Sequence, residues 1–309
     1  MRKLMQNKPT IHILGAGALG SLWAAKLSKN NNIILILRNP LPNNSHSFQF
    51  IEQKHTTKVS LPSESATSTK QTIDTLLVFT KSYDTLSALT QLKHRLSPTS
   101  QVVLFQNGMG SQQEIIKALP HCSLYAASTT EGANRPAKDT IIYAGQGETW
   151  LGPLNHSQTL KNQTEQLTEL LSSSTLNVFA TPDIWQRLWT KLAINCAINP
   201  FTALLNCKNG EIREHELFSS KITPLCQELS LAMHLNQIEL SAEDIKIKVD
   251  EVLENTTENV SSMLQDVRAG KQTEVEFING YIELVARENR ASFPVNLGLL
   301  KEMRKRFRS

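Results

Sequence analysis

The stretch Ile11-His12-Ile13-Leu14, Gly15-Ala16-Gly17-Ala18-Leu19-Gly20, Ser21-Leu22-Trp23-Ala24-Ala25-Lys26-Leu27 reads as a short buried strand, a G-x-G-x-x-G turn and the first turns of a helix. In that setting each glycine has a task. Gly15 admits the tight turn, Gly17 lets backbone approach a pyrophosphate, and Gly20 lets the helix pack on the strand. The helix start adds unpaired N–H groups and the positive end of the helix dipole. Gly15, Ala16, Gly17, Ala18, Leu19 and Gly20 are therefore the expected contacts of a dinucleotide's phosphates.

The next apolar run, Ile33-Ile34-Leu35-Ile36-Leu37, ends in Arg38. An NAD site usually places Asp or Glu there to accept a hydrogen bond from the ribose 2′-hydroxyl. A guanidinium does the reverse and offers a planar cationic fork to phosphate oxygens. Arg38 thus points to NADP(H) over NAD(H), with a solvated surface arginine as the plainer alternative.

Periodic structure continues outward from this core. Asn39 to Lys70 is rich in Ser, Thr, Asn and Pro, with short alternating pieces such as Ser47-Phe48-Gln49-Phe50 that suggest minor strands in a variable excursion. Thr75 to Thr80 and Gln101 to Phe105 are continuous apolar runs of the kind buried on both faces of a sheet. Each is followed by a helical pattern, so the alternation implies right-handed βαβ units and a parallel sheet. Further strands are expected around Leu124-Tyr125, Thr140 to Ala144 and Glu148 to Leu151. From about Pro182 helical periodicity takes over with no convincing strand. The fold class expected is α/β: an N-terminal Rossmann-type doubly wound domain over 1–180, then an all-helical domain over 181–309, the boundary falling near 178–183.

Bulk properties narrow the function classes. At 309 residues two domains are the default. The net charge of +4 is modest and spread out, which argues against a nucleic-acid surface. The basic run Lys301 to Arg308 reads as a solvated helix end. Cys122, Cys196, Cys207 and Cys226 show no C-x-x-C and no metal spacing, and fit reduced thiols in a cytoplasmic protein. The segment after Met1-Arg2-Lys3 is broken by Lys8 and Pro9, and the glycine pattern explains it better than a signal peptide does. No apolar stretch is long enough to span a membrane.

Chemistry is expected at the carboxyl ends of the strands. Arg38, Lys81 and Asn107 each follow a predicted strand directly, so all three project to the glycine-loop edge. A second informative segment runs from Trp185 to Pro200. Lys191, Asn195 and Asn199 are spaced by four and line one stripe of an otherwise apolar helix. Buried polar groups of this kind must be paired or line a ligand cavity. The alternative is a solvent stripe with Asn199-Pro200 ending the helix. Lysine is also the cation whose pKa moves most readily with environment, which suits proton transfer. In the third polar cluster, Asn255 to Gly270, Ser262 and Asp266 share a helix face and Gly270 reads as a helix stop. Thr273-Glu274 then opens a last amphipathic helix through Phe277, Ile278, Tyr281 and Val285, and by its position alone Glu274 reads as a first-turn carboxylate.

Taken in order, Gly15 to Gly20, Gln106-Asn-Gly-Met-Gly110, Leu188-Trp-Thr-Lys-Leu-Ala-Ile-Asn-Cys-Ala-Ile-Asn-Pro200 and Asn259-Val-Ser-Ser-Met-Leu-Gln-Asp-Val-Arg268 closely resemble ketopantoate reductase (2-dehydropantoate 2-reductase). The resemblance runs from about Ile11 to beyond Tyr281. It implies reduction of 2-dehydropantoate to (R)-pantoate by NADPH, on the way to pantothenate and coenzyme A. It also implies an active-site lysine at Lys191, substrate contacts at Asn195, Asn199 and Asn209, and a substrate-contacting segment at Asn259, Val260, Ser261 and Ser262. Lys81, Asn107 and Ala133 fall on cofactor positions. Glu274 falls on the glutamate that faces both active site and cofactor, against its reading as a first-turn carboxylate. Glu131-Gly132-Ala133-Asn134 and the 39–70 excursion depart from the family pattern, and the first ten residues have no counterpart.

The mechanism so implied puts the 2′-phosphate on Arg38 and has protonated Lys191 stabilise charge on the C2 oxygen and deliver its proton. The asparagines and Ser262 hold the substrate, and no metal is required. The expected partner is the small-molecule substrate alone, with neither nucleic acid nor membrane, in a monomer or homodimer. An NADP-linked reductase of another small 2-oxo acid stays open, as does a non-catalytic NADP(H)-sensing protein, though a sensor needs no internal proton donor. A methyltransferase with a similar glycine loop is disfavoured by Arg38 and by the helical second half.

Overall fold

The computed structural model describes residues 8–39, 43–155, 158–172 and 175–307. Most of the first ten residues and Arg308 of the basic tail therefore lie outside the described residues. By its internal contacts the chain divides into two compact units. One comprises Met1–Gln106 and Ser111–Ile184, the other Asn107–Gly110 and Trp185–Ser309.

The first unit is built on one mixed sheet. Its elements in chain order are β1 (Thr10–Leu14), α1 (Ala18–Leu27), β2 (Asn32–Ile36), β3 (Ser45–Glu52), β4 (His55–Glu64), β5 (Thr75–Val78), α2 (Ser82–Leu92), β6 (Gln101–Leu104), α3 (Ser111–Ala118), β7 (Ser123–Thr129), β8 (Gly132–Ala137), β9 (Thr140–Gly145), β10 (Glu148–Pro153), α4 (Gln158–Ser172) and β11 (Asn177–Ala180). The strand order is β11-β10-β7-β6-β5-β1-β2-β4-β3-β9-β8. The core strands β2, β1, β5, β6 and β7 run parallel, as the strand–helix alternation requires. Their apolar runs are buried on both faces: every residue of β5 is buried, and all of β1 but its first. Trp23 of α1 is fully buried against Phe105 (ring centroids 4.8 Å) and Phe79 (5.9 Å), which seats the helix on the sheet.

The minor strands expected in the 39–70 excursion, Ser47 to Phe50 among them, form an antiparallel hairpin, β3–β4, and β4 extends the sheet by pairing in parallel with β2. Three other elements differ from the sequence expectation. β8, β11 and α4 are the three. β8 and β11 were not anticipated, since both are outermost strands with exposed residues and β8 contains Pro136, which an edge strand tolerates. α4 hides in a polar stretch, yet Leu160, Thr164, Leu167 and Leu171 fall on one buried face at helical spacing.

The regular elements of the second unit are, among its described residues, all helical: α5 (Ile184–Leu205), α6 (Glu216–Ser219), α7 (Ile222–His234), α8 (Ala242–Asn255), α9 (Ser262–Arg268), α10 (Asn279–Glu288) and α11 (Pro294–Arg306), with 3-10 turns at Gly210–Glu214 and Val275–Phe277. Pro200 does not end α5. It sits inside the helix in a buried stretch with Ala197, Ile198 and Phe201, and the Phe201 ring packs on Phe218 (ring centroids 5.2 Å), tertiary packing that offsets the missing N–H. Nor does one amphipathic helix start at Thr273. A 3-10 turn comes first, then α10, and α11 follows. The carboxylate of Glu228 on α7 accepts hydrogen bonds from the backbone N–H of Val295 (2.7 Å) and Asn296 (2.8 Å), capping the α11 start. The basic run is not merely solvated, because Arg304 donates to Glu276 at 2.8 and 2.6 Å and to Glu283 at 3.1 Å. No described helix is long and apolar enough to cross a membrane.

Candidate active site

In the first unit, the carboxyl ends of β1, β2 and β5 carry the glycine loop, Arg38 and Lys81 respectively. Gly15 holds φ +98°, and a Cβ there would lie 3.0 Å from the Thr80 backbone nitrogen. At Gly20 a Cβ would lie 2.1 Å from the Gly15 carbonyl oxygen, so only hydrogen lets α1 start this close to the strand. Gly17 faces open space, with nothing within 4 Å of a Cβ position. It precedes α1 with no side-chain cap and no acidic residue in the first turn. This open backbone beside an uncapped helix start fits a pyrophosphate.

Arg38 is exposed and lies 3.4 Å from the Asp84 carboxylate. Lys81 is half-buried at the start of α2. Ala133 lies on β8 and packs partly buried against the hydrophobic core. Three neighbours of this edge escaped the sequence reading. Gln106 is buried, and its amide donates to the carbonyls of Val78 (3.0 Å) and Thr80 (3.1 Å), fixing the end of β5 from which Lys81 projects. Arg135 donates to the Ala16 carbonyl at 2.8 Å and steadies the glycine loop. Asp84 is the third. All three act through tertiary proximity, for which single-sequence spacing holds no signal.

In the second unit, α5 presents Lys191, Asn195 and Asn199 in turn. Burial pushes the Lys191 ammonium pKa down to about 8, and the carboxylate of Glu274 works against that shift. Glu274 is itself only 5 % exposed and immediately precedes the Val275–Phe277 turn. A lysine so placed stays mostly protonated near neutrality yet gives up its proton far more readily than a surface lysine.

The remaining candidates form two small groups. Asn199 is buried; its carbonyl accepts from the Thr202 hydroxyl at 2.9 Å, which lies 2.7 Å from the Ser261 hydroxyl. Ser261 also caps α9 by accepting from the Leu264 N–H at 3.1 Å, so its hydroxyl is committed to the scaffold. Asn259 and Ser262 are exposed and Val260 is half-buried. Asn209 is buried. Its backbone N–H donates to the Asn259 carbonyl at 3.0 Å and its amide to Thr256 at 2.9 Å, while its Oδ1 accepts no hydrogen bond among the described residues.

The Asn107–Gly110 loop packs on the segment that carries Glu274. Gly108 holds φ +78°, and a Cβ there would sit 2.2 Å from the Phe277 carbonyl oxygen, which accepts from the Met109 N–H at 2.7 Å. Gly110 lies against the ring of Tyr281, which in turn meets Trp189 on α5 (5.6 Å). Asn107, Glu274 and the Lys191 helix are thereby fixed in one packed unit.

Two family models match, "Ketopantoate reductase PanE/ApbA" over residues 11–156 and its C-terminal counterpart over 183–306. The chain belongs to the ketopantoate reductase family. A 2-dehydropantoate 2-reductase of Shigella flexneri is 34% identical over 301 residues, covering 96% of this chain and 94% of the relative. Among solved structures, a D-mandelate dehydrogenase with NADH and anilino(oxo)acetate superposes with a TM-score of 0.88 at 21% identity, covering 96% of this chain and 97% of the other. A PanE/ApbA family ketopantoate reductase from Ralstonia eutropha JMP134 gives 0.84 at 23%, with the same coverage. At those identities the two structures show the fold that ketopantoate reductases share with this dehydrogenase.

Proposed function

We propose that this chain reduces 2-dehydropantoate to (R)-pantoate with NADPH, in the route to pantothenate and coenzyme A. The observation that carries the reading is Lys191: a lysine on a buried helix, its pKa lowered to about 8, with a buried carboxylate acting on it.

The residues present fit the cofactor. The glycine loop and the α1 start would hold the pyrophosphate, and Arg38 the 2′-phosphate, with Lys81 at the same sheet edge and Asn107 as a further cofactor contact. When bound, NADPH supplies the hydride that reduces the C2 carbonyl. Lys191, protonated, donates a hydrogen bond to the carbonyl oxygen, stabilises the negative charge that grows there, and then delivers the proton. Glu274 keeps that ammonium charged within a site whose burial disfavours charge. Asn195, Asn199 and Asn209 offer amides to the substrate's carboxylate and hydroxyl, the unpaired Asn209 Oδ1 being an acceptor ready for a hydroxyl. Exposed Ser262 can add a contact, and the Asn259–Ser261 backbone supports it.

Turnover of NADPH against a panel of 2-oxo acids tests the substrate. The reading expects the highest kcat/KM for 2-dehydropantoate; a preference of tenfold or more for another 2-oxo acid would overturn it.

A further inference from the structure

Arg38 follows β2 and Asp84 lies in the first turn of α2, just after β5. β2 and β5 flank β1 in the sheet, so the two residues reach each other from either side of the strand that carries the glycine loop. Arg38 Nη2 lies 3.4 Å from Asp84 Oδ1, and both side chains stay open to solvent, 81% and 44% exposed. Nothing here locks Arg38 away, since an exposed pair of this kind is weak. It does fix the charge pattern: an anion received by Arg38 meets a carboxylate beside it.

A carboxylate near the ribose serves an unphosphorylated 2′-hydroxyl and repels a 2′-phosphate. Such a carboxylate usually stands at the end of the second strand, where this chain has Arg38. Here it arrives instead from α2. The site therefore holds both recognition elements at once, a cation for phosphate and an acceptor for hydroxyl.

We propose that Asp84 sets how strictly the enzyme prefers NADPH, competing with the 2′-phosphate for Arg38 and offering an acceptor to the 2′-hydroxyl of NADH. The proposal rests on the reading of Arg38 as the 2′-phosphate ligand. Like charges that share one exposed arginine near water interact weakly, so the effect is a threefold to tenfold change in relative affinity, reduced by salt.

The test is direct binding of NADPH and NADH to the full-length protein, in low salt and in about 1 M salt, for the wild type, Asp84→Asn and Asp84→Ser. Both variants remove the charge, and both keep a short polar residue at the helix start. The expected result is a threefold to tenfold tighter NADPH Kd in both variants at low salt, no tightening for NADH, and a smaller gain at high salt. An unchanged NADPH/NADH ratio, or a change in only one variant, would overturn the proposal. So would an Arg38→Gln variant that binds NADPH as the wild type does. Because no substrate is present, a failure to reduce 2-dehydropantoate with intact NADPH binding would count against the proposed reaction and leave Asp84 standing.

Discussion

Glu274 acts on Lys191 in opposition to burial: the carboxylate raises the ammonium pKa that desolvation has brought down to about 8. Removing the carboxylate leaves desolvation unopposed. In Glu274→Gln the alkaline limb of the kcat/KM profile, which reports the loss of the Lys191 proton, therefore moves to lower pH. Wild type should hold its activity below about pH 8 and lose it above. A pH–rate profile of the two proteins checks this. An unmoved limb with an altered melting temperature would return Glu274 to a purely structural place at the head of its turn.

Lys191 is held at a cost to stability. Its folded-state pKa lies below the ordinary 10.5, so the unfolded chain binds this proton more tightly. The group thus subtracts stability below about pH 8 and ceases to do so as pH rises toward 10.5. Lys191→Met, which keeps the length and drops the charge, removes this proton-linked cost but also leaves the buried Glu274 carboxylate without its cation. Its stability relative to wild type should therefore fall as pH rises from about 8 toward 10.5, with turnover lost throughout. Calorimetry at neutral and alkaline pH reads it, and a difference that stays constant or moves the other way would contradict this balance.

Gly108→Ala should be costly although it adds one methyl group. The residue stands at φ +78° with its Cβ position 2.2 Å from the Phe277 carbonyl oxygen. Backbone cannot give way there without losing the Met109–Phe277 hydrogen bond, so a loss of about 2–4 kcal/mol is expected in urea unfolding. A change under about 0.5 kcal/mol would mean the loop is not clasped as described.

Sequence carries much of this fold because the parallel core strands are buried on both faces and read as unbroken apolar runs, and because the turn between β1 and α1 admits only glycine at positions 15 and 20. The Lys191 stripe is legible for a similar reason, as three polar residues at spacing four interrupt an apolar helix. What stays illegible depends on neighbours distant in sequence. Pro200 reads as a helix stop because the packing that carries α5 beyond it, around Phe201, comes from elsewhere in the chain. Glu274 reads as a first-turn carboxylate until its 5 % exposure is seen, and only the family resemblance implies a role for it at the site. Gln106, Arg135 and Asp84 look like ordinary loop and helix residues until the sheet brings them beside the glycine loop and its flanking strands.

Lys191 is the proposed proton donor of 2-dehydropantoate reduction. The most direct measurement is the rate of NADPH oxidation on saturating 2-dehydropantoate by wild type and Lys191→Ala, with NADPH affinity determined for both. Turnover by the wild type, a fall in kcat of about a hundredfold or more in the variant, and NADPH binding within about threefold of wild type are expected. A variant that turns over at the wild-type rate would contradict that role.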